Sequence, residues 1–350
     1  MSEKGSCGYR STVEPAVWFP AIRSGSGVDV FTERLATGLR HLGLRAEITW
    51  LPHRAEYAPW TVPRPKPPRW ANIVHVNTCL HRYLLPHNLP LVATIHHCVQ
   101  DPALVPYKTP FQSLYHRLWV TPMERHVVAN VERLVAVSRY TADRAETVFG
   151  RRDIEVIYNG VDTVLFHPNP NREPHHPFRL VFVGNPTRRK GGDLLPAIMG
   201  RLGPDFMLYF TSGLGGRRAA RDRPANMILL ERINDTAGMV KLYQDADALL
   251  FPSRLEGFGL AALEAQACGI PVVATRGSAL PEVIEDRQSG ILCAQDDVAA
   301  FAEAARMFAD NPTLWRRMGT TARQRVECRF AESAFVQHYV QVYTIALSNS

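Results

Sequence analysis

Twelve short β-rich apolar runs alternate with helical patterns along the 350 residues, in two consecutive sets of six. The first set is 16–22, 46–51, 72–76, 91–95, 133–137 and 155–158. The second is 179–183, 206–211, 226–230, 248–251, 271–275 and 290–293. Amphipathic segments lie between the runs. Val28, Phe31, Leu35, Leu39 and Leu42 recur at i, i+3 and i+4 spacing, and Gly43 stops the pattern. Strand and helix alternating in this way predict an α/β fold with two doubly wound parallel sheets. The length suits two domains, each able to bury its own core.

The stretch Phe166-His167-Pro168-Asn169-Pro170-Asn171-Arg172-Glu173-Pro174-His175-His176-Pro177 separates the two sets. Proline, asparagine and charge at this density read as a linker. The expected boundaries are a polar, frayed leader at 1–14, a first domain at 15–170 and a second at 177–331. Beyond these, 332–347 reads as a long helix with Phe335, Tyr339, Val342 and Tyr343 on one face.

The net charge of +7 is unevenly spread. Residues 1–176 hold 20 Lys and Arg against 15 Asp and Glu, and residues 177–350 hold 20 against 18, so the halves carry +5 and +2. Twelve of the thirteen histidines also lie in the first half. Such a half suits an anionic partner, a phosphate-bearing lipid or a membrane surface, and a solvated basic surface accounts for it equally well. No nucleic-acid-binding module is recognisable, so nucleic acid is not an expected partner. Tyr107, Phe111, Tyr115 and Trp119 recur at i+4 among Lys108, His116, Arg117 and Arg125, which fits either an interfacial amphipathic helix or aromatic packing onto a sheet. No apolar run reaches the roughly eighteen residues of a membrane span. The leader lacks the apolar core of a secretory signal. Six cysteines show neither CxxC pairing nor metal-ligand spacing, as reduced thiols would. The expected location is cytoplasmic, with peripheral contact at the inner face of the membrane.

Chemistry concentrates in loops that follow strands. Glu256-Gly257-Phe258-Gly259 leads from a buried strand into a helix at 260–268. A helix start offers unpaired N–H groups and the positive end of the macrodipole, both suited to phosphate. Leu260 opens that helix, and Glu264 in its second turn points back toward the same place. Two carboxylates flanking a phosphate position suit the hydroxyls of sugar and ribose. A second loop, Gly184-Asn185-Pro186-Thr187-Arg188-Arg189-Lys190-Gly191-Gly192, puts three adjacent cations before a helix beginning near Asp193, a plausible N-cap. Three cations suit a diphosphate leaving group. A third loop, Thr211-Ser212-Gly213, ends the next strand at the edge where open α/β sheets bind ligands. Asp245-Ala246-Asp247 has the D-x-D form of a metal-holding triplet, but directly precedes a strand and reads as a structural turn.

The stretch from Glu256 to Glu264 resembles the E-x7-E signature of retaining GT-B glycosyltransferases of the family 4 type. Ala267-Cys268-Gly269-Ile270-Pro271-Val272-Val273-Ala274 and Leu280-Pro281-Glu282-Val283-Ile284 continue the likeness, and Tyr158-Asn159-Gly160-Val161-Asp162 resembles a domain-crossover signpost. The resemblance implies two Rossmann-like domains facing a central cleft, with 332–350 crossing back to the first. It implies a nucleoside-diphosphate-sugar donor bound in the second domain, a hydroxyl acceptor in the first, and no metal or other cofactor. Lys190-Gly191 match the family's lysine pair, while Asn185 stands where an arginine is expected, and either Arg188 or Arg189 takes its place. Arg232 and Ile233 would border the base. Gly25 and Gly27 resemble the glycine-rich first loop. His96, at a strand's end, matches the active-site histidine that contacts the donor sugar, and His97 stands where aspartate is common. The implied site is therefore His96, Arg188, Lys190 and Glu256 at the chemistry, with Gly25, Gly27, Arg189, Gly213, Arg232, Ile233, Gly257, Phe258, Gly259, Leu260 and Glu264 on the donor.

The implied reaction moves a hexose to a hydroxyl of a lipid-linked saccharide or a lipopolysaccharide or exopolysaccharide precursor, with retention. The alternative is a GT-B protein without transfer, a nucleotide-sugar epimerase or an inactive partner subunit.

Overall fold

The computed structural model describes residues 13–211, 223–231, 233 and 235–348. Its strands are β1 (Val17–Ile22), β2 (Ala46–Leu51), β3 (Ile73–Asn77), β4 (Leu91–Ile95), β5 (Arg133–Ala136), β6 (Ile154–Val156), β7 (Phe178–Phe182), β8 (Phe206–Thr211), β9 (Met227–Leu230), β10 (Ala248–Phe251), β11 (Val272–Thr275) and β12 (Gly290–Cys293). Each overlaps one of the twelve runs in the sequence, least of all β6, which shares only residues 155 and 156 with the run at 155–158. The helices are α1 (Gly27–His41), α2 (Pro110–Tyr115), α3 (Thr121–Asn130), α4 (Arg139–Phe149), α5 (Leu195–Leu202), α6 (Thr236–Gln244), α7 (Leu260–Ala267), α8 (Leu280–Val283), α9 (Val298–Asp310), α10 (Pro312–Arg329) and α11 (Glu332–Ser348).

The strands form two six-stranded sheets, ordered β2-β1-β3-β4-β5-β6 and β12-β11-β10-β7-β8-β9. The second sheet is parallel throughout, from β12 against β11 to β8 against β9. Its strands are apolar on both sides because helices cover both faces. Val181, Leu249, Phe251 and Val272 pack with residues of α6, α7 and α10, while Leu180, Phe182, Leu250 and Val273 pack with α5 and α9. Alternate residues therefore serve opposite cores, as the two-residue period of a strand requires.

The chain divides into two compact units. One comprises Met1–Thr94, Met123–Leu134 and Val336–Ser350; the other comprises Ile95–Pro122 and Val135–Phe335. Within the first, α11 is tied to β3 and β4 by buried polar groups. The His75 ring lies 2.6 Å from the Tyr343 hydroxyl through Nδ1 and 2.9 Å from Thr94 Oγ1 through Nε2, and Thr94 Oγ1 lies 2.9 Å from the Tyr339 hydroxyl. Every one of these side chains is buried, so each polar atom needs the partner it has.

Two local expectations need correction. Asp193 does not cap the helix after it: the N-cap of α5 is Leu194, whose side chain makes no capping bond. The Asp193 carboxylate is spent on Arg254. Nor do Tyr107, Phe111, Tyr115 and Trp119 share one helical face. A 3-10 turn at Pro102–Tyr107, α2, a π turn at His116–Val120 and α3 follow one another, because Pro106 and Pro110 interrupt the helix and the π turn adds a residue. Phe111 ends up 78% exposed, while Tyr115 and Trp119 are half-buried.

Candidate functional site

In the second sheet, β7 and β10 are neighbours, β8 and β9 extend to one side, and β11 and β12 to the other. This is a topological switch point, where open α/β sheets leave a crevice at the carboxyl ends of the strands. The loops after β7 and β10 border it, and they are the two most chemically loaded loops in the sequence. Their backbones are in tight contact. Gly191 sits at φ +72°, and a Cβ there would overlap the Pro252 carbonyl.

Glu256 is buried at this junction. Its Oε1 accepts from Lys190 Nζ at 2.5 Å and from Ser253 Oγ at 2.6 Å. Arg189 donates from Nη1 to the Leu255 carbonyl at 2.8 Å. Arg188 lies exposed instead, with Nε 4.0 Å from Asp193 Oδ2. Of the two arginines that the sequence left open, Arg189 is the one held beside Glu256. Burial by itself raises the Glu256 carboxyl, but Lys190 and Arg189 outweigh it and hold it below the ordinary carboxylate value. Burial lowers the Lys190 ammonium, and Glu256 opposes that shift.

The histidines after β4 reach the same loop through the backbone. Gly257 lies so close to the His96 carbonyl oxygen that any Cβ would overlap it. The Gly257 carbonyl accepts from Ser138 Oγ at 2.6 Å and Thr141 Oγ1 at 3.0 Å. Close approach at Gly257 is therefore to protein backbone. Burial lowers the His96 imidazole to about 3. Burial, then Arg189, lowers His97 to about 4, against the opposing pull of Glu256 and Asp101. Both rings are neutral at physiological pH.

Gly259, at φ +105°, is the N-cap of α7, and no side chain caps that helix start. Phe258 is a core residue, its ring between Tyr158 and Phe330 with centroids 6.0 Å from each. Leu260 is half-buried in the first turn. Glu264 accepts from the buried Tyr243 hydroxyl at 3.1 Å through Oε2. Ile233 lies against Gly238 in the first turn of α6. In the other unit, Gly27 opens α1, and the Gly25 N–H donates to Asp29 Oδ2 at 2.7 Å. Gly213 and Arg232 lie outside the described residues.

Several residues with work at this site escaped the sequence reading. Ser253 shares Glu256 with Lys190. Asp101 is buried, caps the 3-10 turn through Ala103 N–H at 2.9 Å and accepts from the Tyr140 hydroxyl. Glu282 accepts from the Arg139 and Tyr140 N–H groups at 2.8 and 2.9 Å. Arg254 sits inside the Phe251–Glu256 loop, ahead of the Glu256–Glu264 motif and outside it. Asp247 is fully buried and accepts from the N–H of Arg179 at 2.7 Å, and from the N–H and ring Nδ1 of His175 at 3.2 and 2.9 Å. Of the D-x-D triplet, the Asp247 carboxylate, just ahead of β10, is thus committed to anchoring the linker, and Asp245 is exposed.

Two family descriptions match in tandem: Glycosyltransferase Family 4 over residues 28–165 and Glycosyl transferases group 1 over residues 165–325. Among curated relatives, a D-inositol 3-phosphate glycosyltransferase 1 of Catenulispora acidiphila is 29% identical over 250 residues, covering 64% of this chain and 60% of that protein. A glycogen synthase of Mycobacterium tuberculosis is 27% identical over 331 residues, covering 89% of this chain and 73% of its own. The chain thus spans less than two thirds of the inositol-phosphate relative. Among solved structures, sucrose-phosphate synthase from Thermosynechococcus elongatus superposes with a TM-score of 0.76 at 18% identity, covering 96% of this chain and 100% of that one. Anabaena HepE in complex with UDP and glucose gives 0.72 at 15% identity, covering 94% and 99%. At these identities the superpositions speak to fold alone. With two parallel six-stranded sheets and both family halves in order, the chain belongs to the group 1 and family 4 glycosyltransferases and has the GT-B fold.

Proposed function

We propose that the chain transfers a hexose, with retention, from a nucleoside-diphosphate sugar to a hydroxyl of a phosphate-bearing, lipid-linked saccharide. The observation that carries this reading is the Lys190–Glu256 pair beside Arg189 and the uncapped start of α7. Lys190 and Arg189 would balance the charge that grows on the diphosphate as it leaves. In this reaction a bond forms between the acceptor oxygen and the anomeric carbon, and the bond from that carbon to the donor phosphate breaks. The hydroxyl proton passes to an oxygen of the departing diphosphate on the same face. The neutral His96 suits a hydrogen bond to the sugar better than proton transfer. Glu264 would hold ribose hydroxyls, with Tyr243 fixing its orientation. The chain's own task is then orientation and leaving-group stabilisation, with no metal in either role.

The acceptor's charge is inferred from the first unit. In the first sheet β1 and β3 flank the switch, and the loops at 52–72 and 78–90 follow β2 and β3. These loops carry exposed Arg54, Arg64, Lys66, Arg69 and Arg82 against a single acidic residue, Glu56. Tyr57 and Trp60 are 51% and 62% exposed there, faces on which a sugar can stack. Arg64 already stacks on Tyr83, 4.4 Å from its ring centre. Among relatives, the name D-inositol 3-phosphate glycosyltransferase also denotes a phosphate-bearing substrate. Phe111, Leu114 and Leu118 are exposed at 78%, 53% and 65%, next to Arg117. With no acidic residue from 102 to 123, this stripe suits peripheral contact with anionic lipid on the cytoplasmic side. No helix among the described residues is long and apolar enough to cross a membrane.

The test is turnover of UDP-, GDP- and ADP-hexoses with phosphorylated and neutral acceptors, followed by NMR of the product anomer. A product with the donor's anomeric configuration supports the proposal. An inverted product, or an epimerised donor with no transfer, overturns it.

A further inference from the structure

We propose that Arg254 is a positioning residue that holds the cation-bearing loop after β7 in its diphosphate-binding shape. The inference rests on the donor site proposed above and adds a device to it. Three adjacent cations, Arg188, Arg189 and Lys190, repel one another, so a loop that carries them needs an external hold to keep two of them aimed at one place. Arg254 supplies hydrogen bonds along the whole loop. Its backbone N–H donates to the Arg189 carbonyl at 2.9 Å. Its Nη1 donates to the Arg188 carbonyl, and Nη1 and Nη2 together grip Asp193 at 2.7 and 3.0 Å. On its other side Nε donates to Asp296 Oδ1 at 2.5 Å, in the loop after β12. The guanidinium also lies over the Tyr107 ring, 5.4 Å from its centre.

The chemistry separates this arginine from its neighbours. Its side chain is 5% exposed, and two carboxylates face it, so its own charge is already balanced. Lys190 and Arg189 face the buried Glu256 and retain net positive charge between them. Arg254 therefore shapes the site, and its neighbours act in it. A planar fork that serves two carboxylates and a carbonyl at once has no equivalent in lysine, whose ammonium is a compact point charge. Asp193 and Asp296 are 36% and 48% exposed, and ion pairs that open to solvent add little to global stability. The effect of losing Arg254 is thus expected in the loop's order more than in the melting temperature.

The test uses the full chain and calorimetric titration with UDP, GDP and ADP, taking the tightest of the three and its monophosphate. Arg254→Met is expected to weaken the diphosphate at least tenfold while the monophosphate changes less than twofold. Arg254→Lys should fail to restore it, and Asp193→Asn should reproduce part of the loss. These last two keep the test open if Arg254→Met does not fold. An unchanged ratio of diphosphate to monophosphate affinity in the folded variants overturns the clamp. Lys190→Ala separates the two proposals: if it leaves diphosphate affinity intact, or if wild-type chain binds none of the three, the donor-site reading itself fails.

Discussion

The Lys190 ammonium lies 2.5 Å from Oε1 of Glu256, joining the loop after β7 to the loop after β10 across the switch point of the second sheet. The pair is largely buried, at 20% and 9% side-chain exposure, so each charge depends on the other. Losing one member leaves a charge that burial penalises.

Glu256→Gln removes the counter-charge that opposes burial at Lys190. The Lys190 pKa, already below its ordinary value, is then expected to fall further. Its charge would be lost at a lower pH, so the alkaline limb of kcat/KM should move toward neutrality. At neutral pH kcat/KM should drop by about 10²-fold, the usual scale for losing one element of leaving-group stabilisation. A pH profile of the variant with saturating acceptor checks both.

Gly257→Ala places a methyl group on the His96 carbonyl, a backbone atom directly after strand β4 that cannot swing aside as a flexible side chain would. The expected cost is about 1–3 kcal/mol of stability, as for other overpacked sites. Donor turnover should fall with it, because Gly257 adjoins Glu256 and its backbone packs on that of His96. Thermal unfolding and initial rates, measured together, test this.

His96 and His97 carry pKa values lowered to about 3 and about 4, against an ordinary 6.5. The unfolded chain therefore takes up protons at these positions before the folded chain does. Their contribution to stability is whole above about pH 6.5 and declines as the pH falls toward 4 and 3. Melting temperature should drop on acidification below pH 6.5, and the drop should shrink in His97→Asn. Turnover should show no ionisation near 6.5 that His97→Asn removes.

Asp247→Ala tests the D-x-D triplet. Three buried or half-buried donors lose their acceptor, at about 1–3 kcal/mol for each one left unsatisfied. The melting temperature should fall clearly, while the KM for donor at low temperature stays within about twofold. A selective rise in donor KM would instead give this carboxylate a part in donor binding.

The strands were legible because a parallel sheet covered on both faces needs unbroken apolar runs, and all twelve appear as such. The Glu256–Gly259 and Arg188–Gly192 loops were legible because glycine and charge are conspicuous directly after a buried strand. What the sequence concealed was direction. Nothing in Arg188-Arg189-Lys190 tells which arginine turns inward, since that is set by Leu255, 66 residues from Arg189, and by Asp193, five residues from Arg188. Asp193 has the residue type and position of an N-cap, and loses that role because Arg254 offers it two charge-assisted hydrogen bonds. Gly257 was conspicuous in the motif, but the reason only glycine fits there is the His96 backbone, a contact made only in the folded chain.

The most direct measurement is calorimetric binding of the tightest nucleoside diphosphate among UDP, GDP and ADP to wild-type chain and to Lys190→Ala. The account predicts saturable binding by the wild type and at least a tenfold loss in a variant that still melts cooperatively. Equal affinity in the two would contradict it, because the cation paired with Glu256 would then have no part in holding the diphosphate.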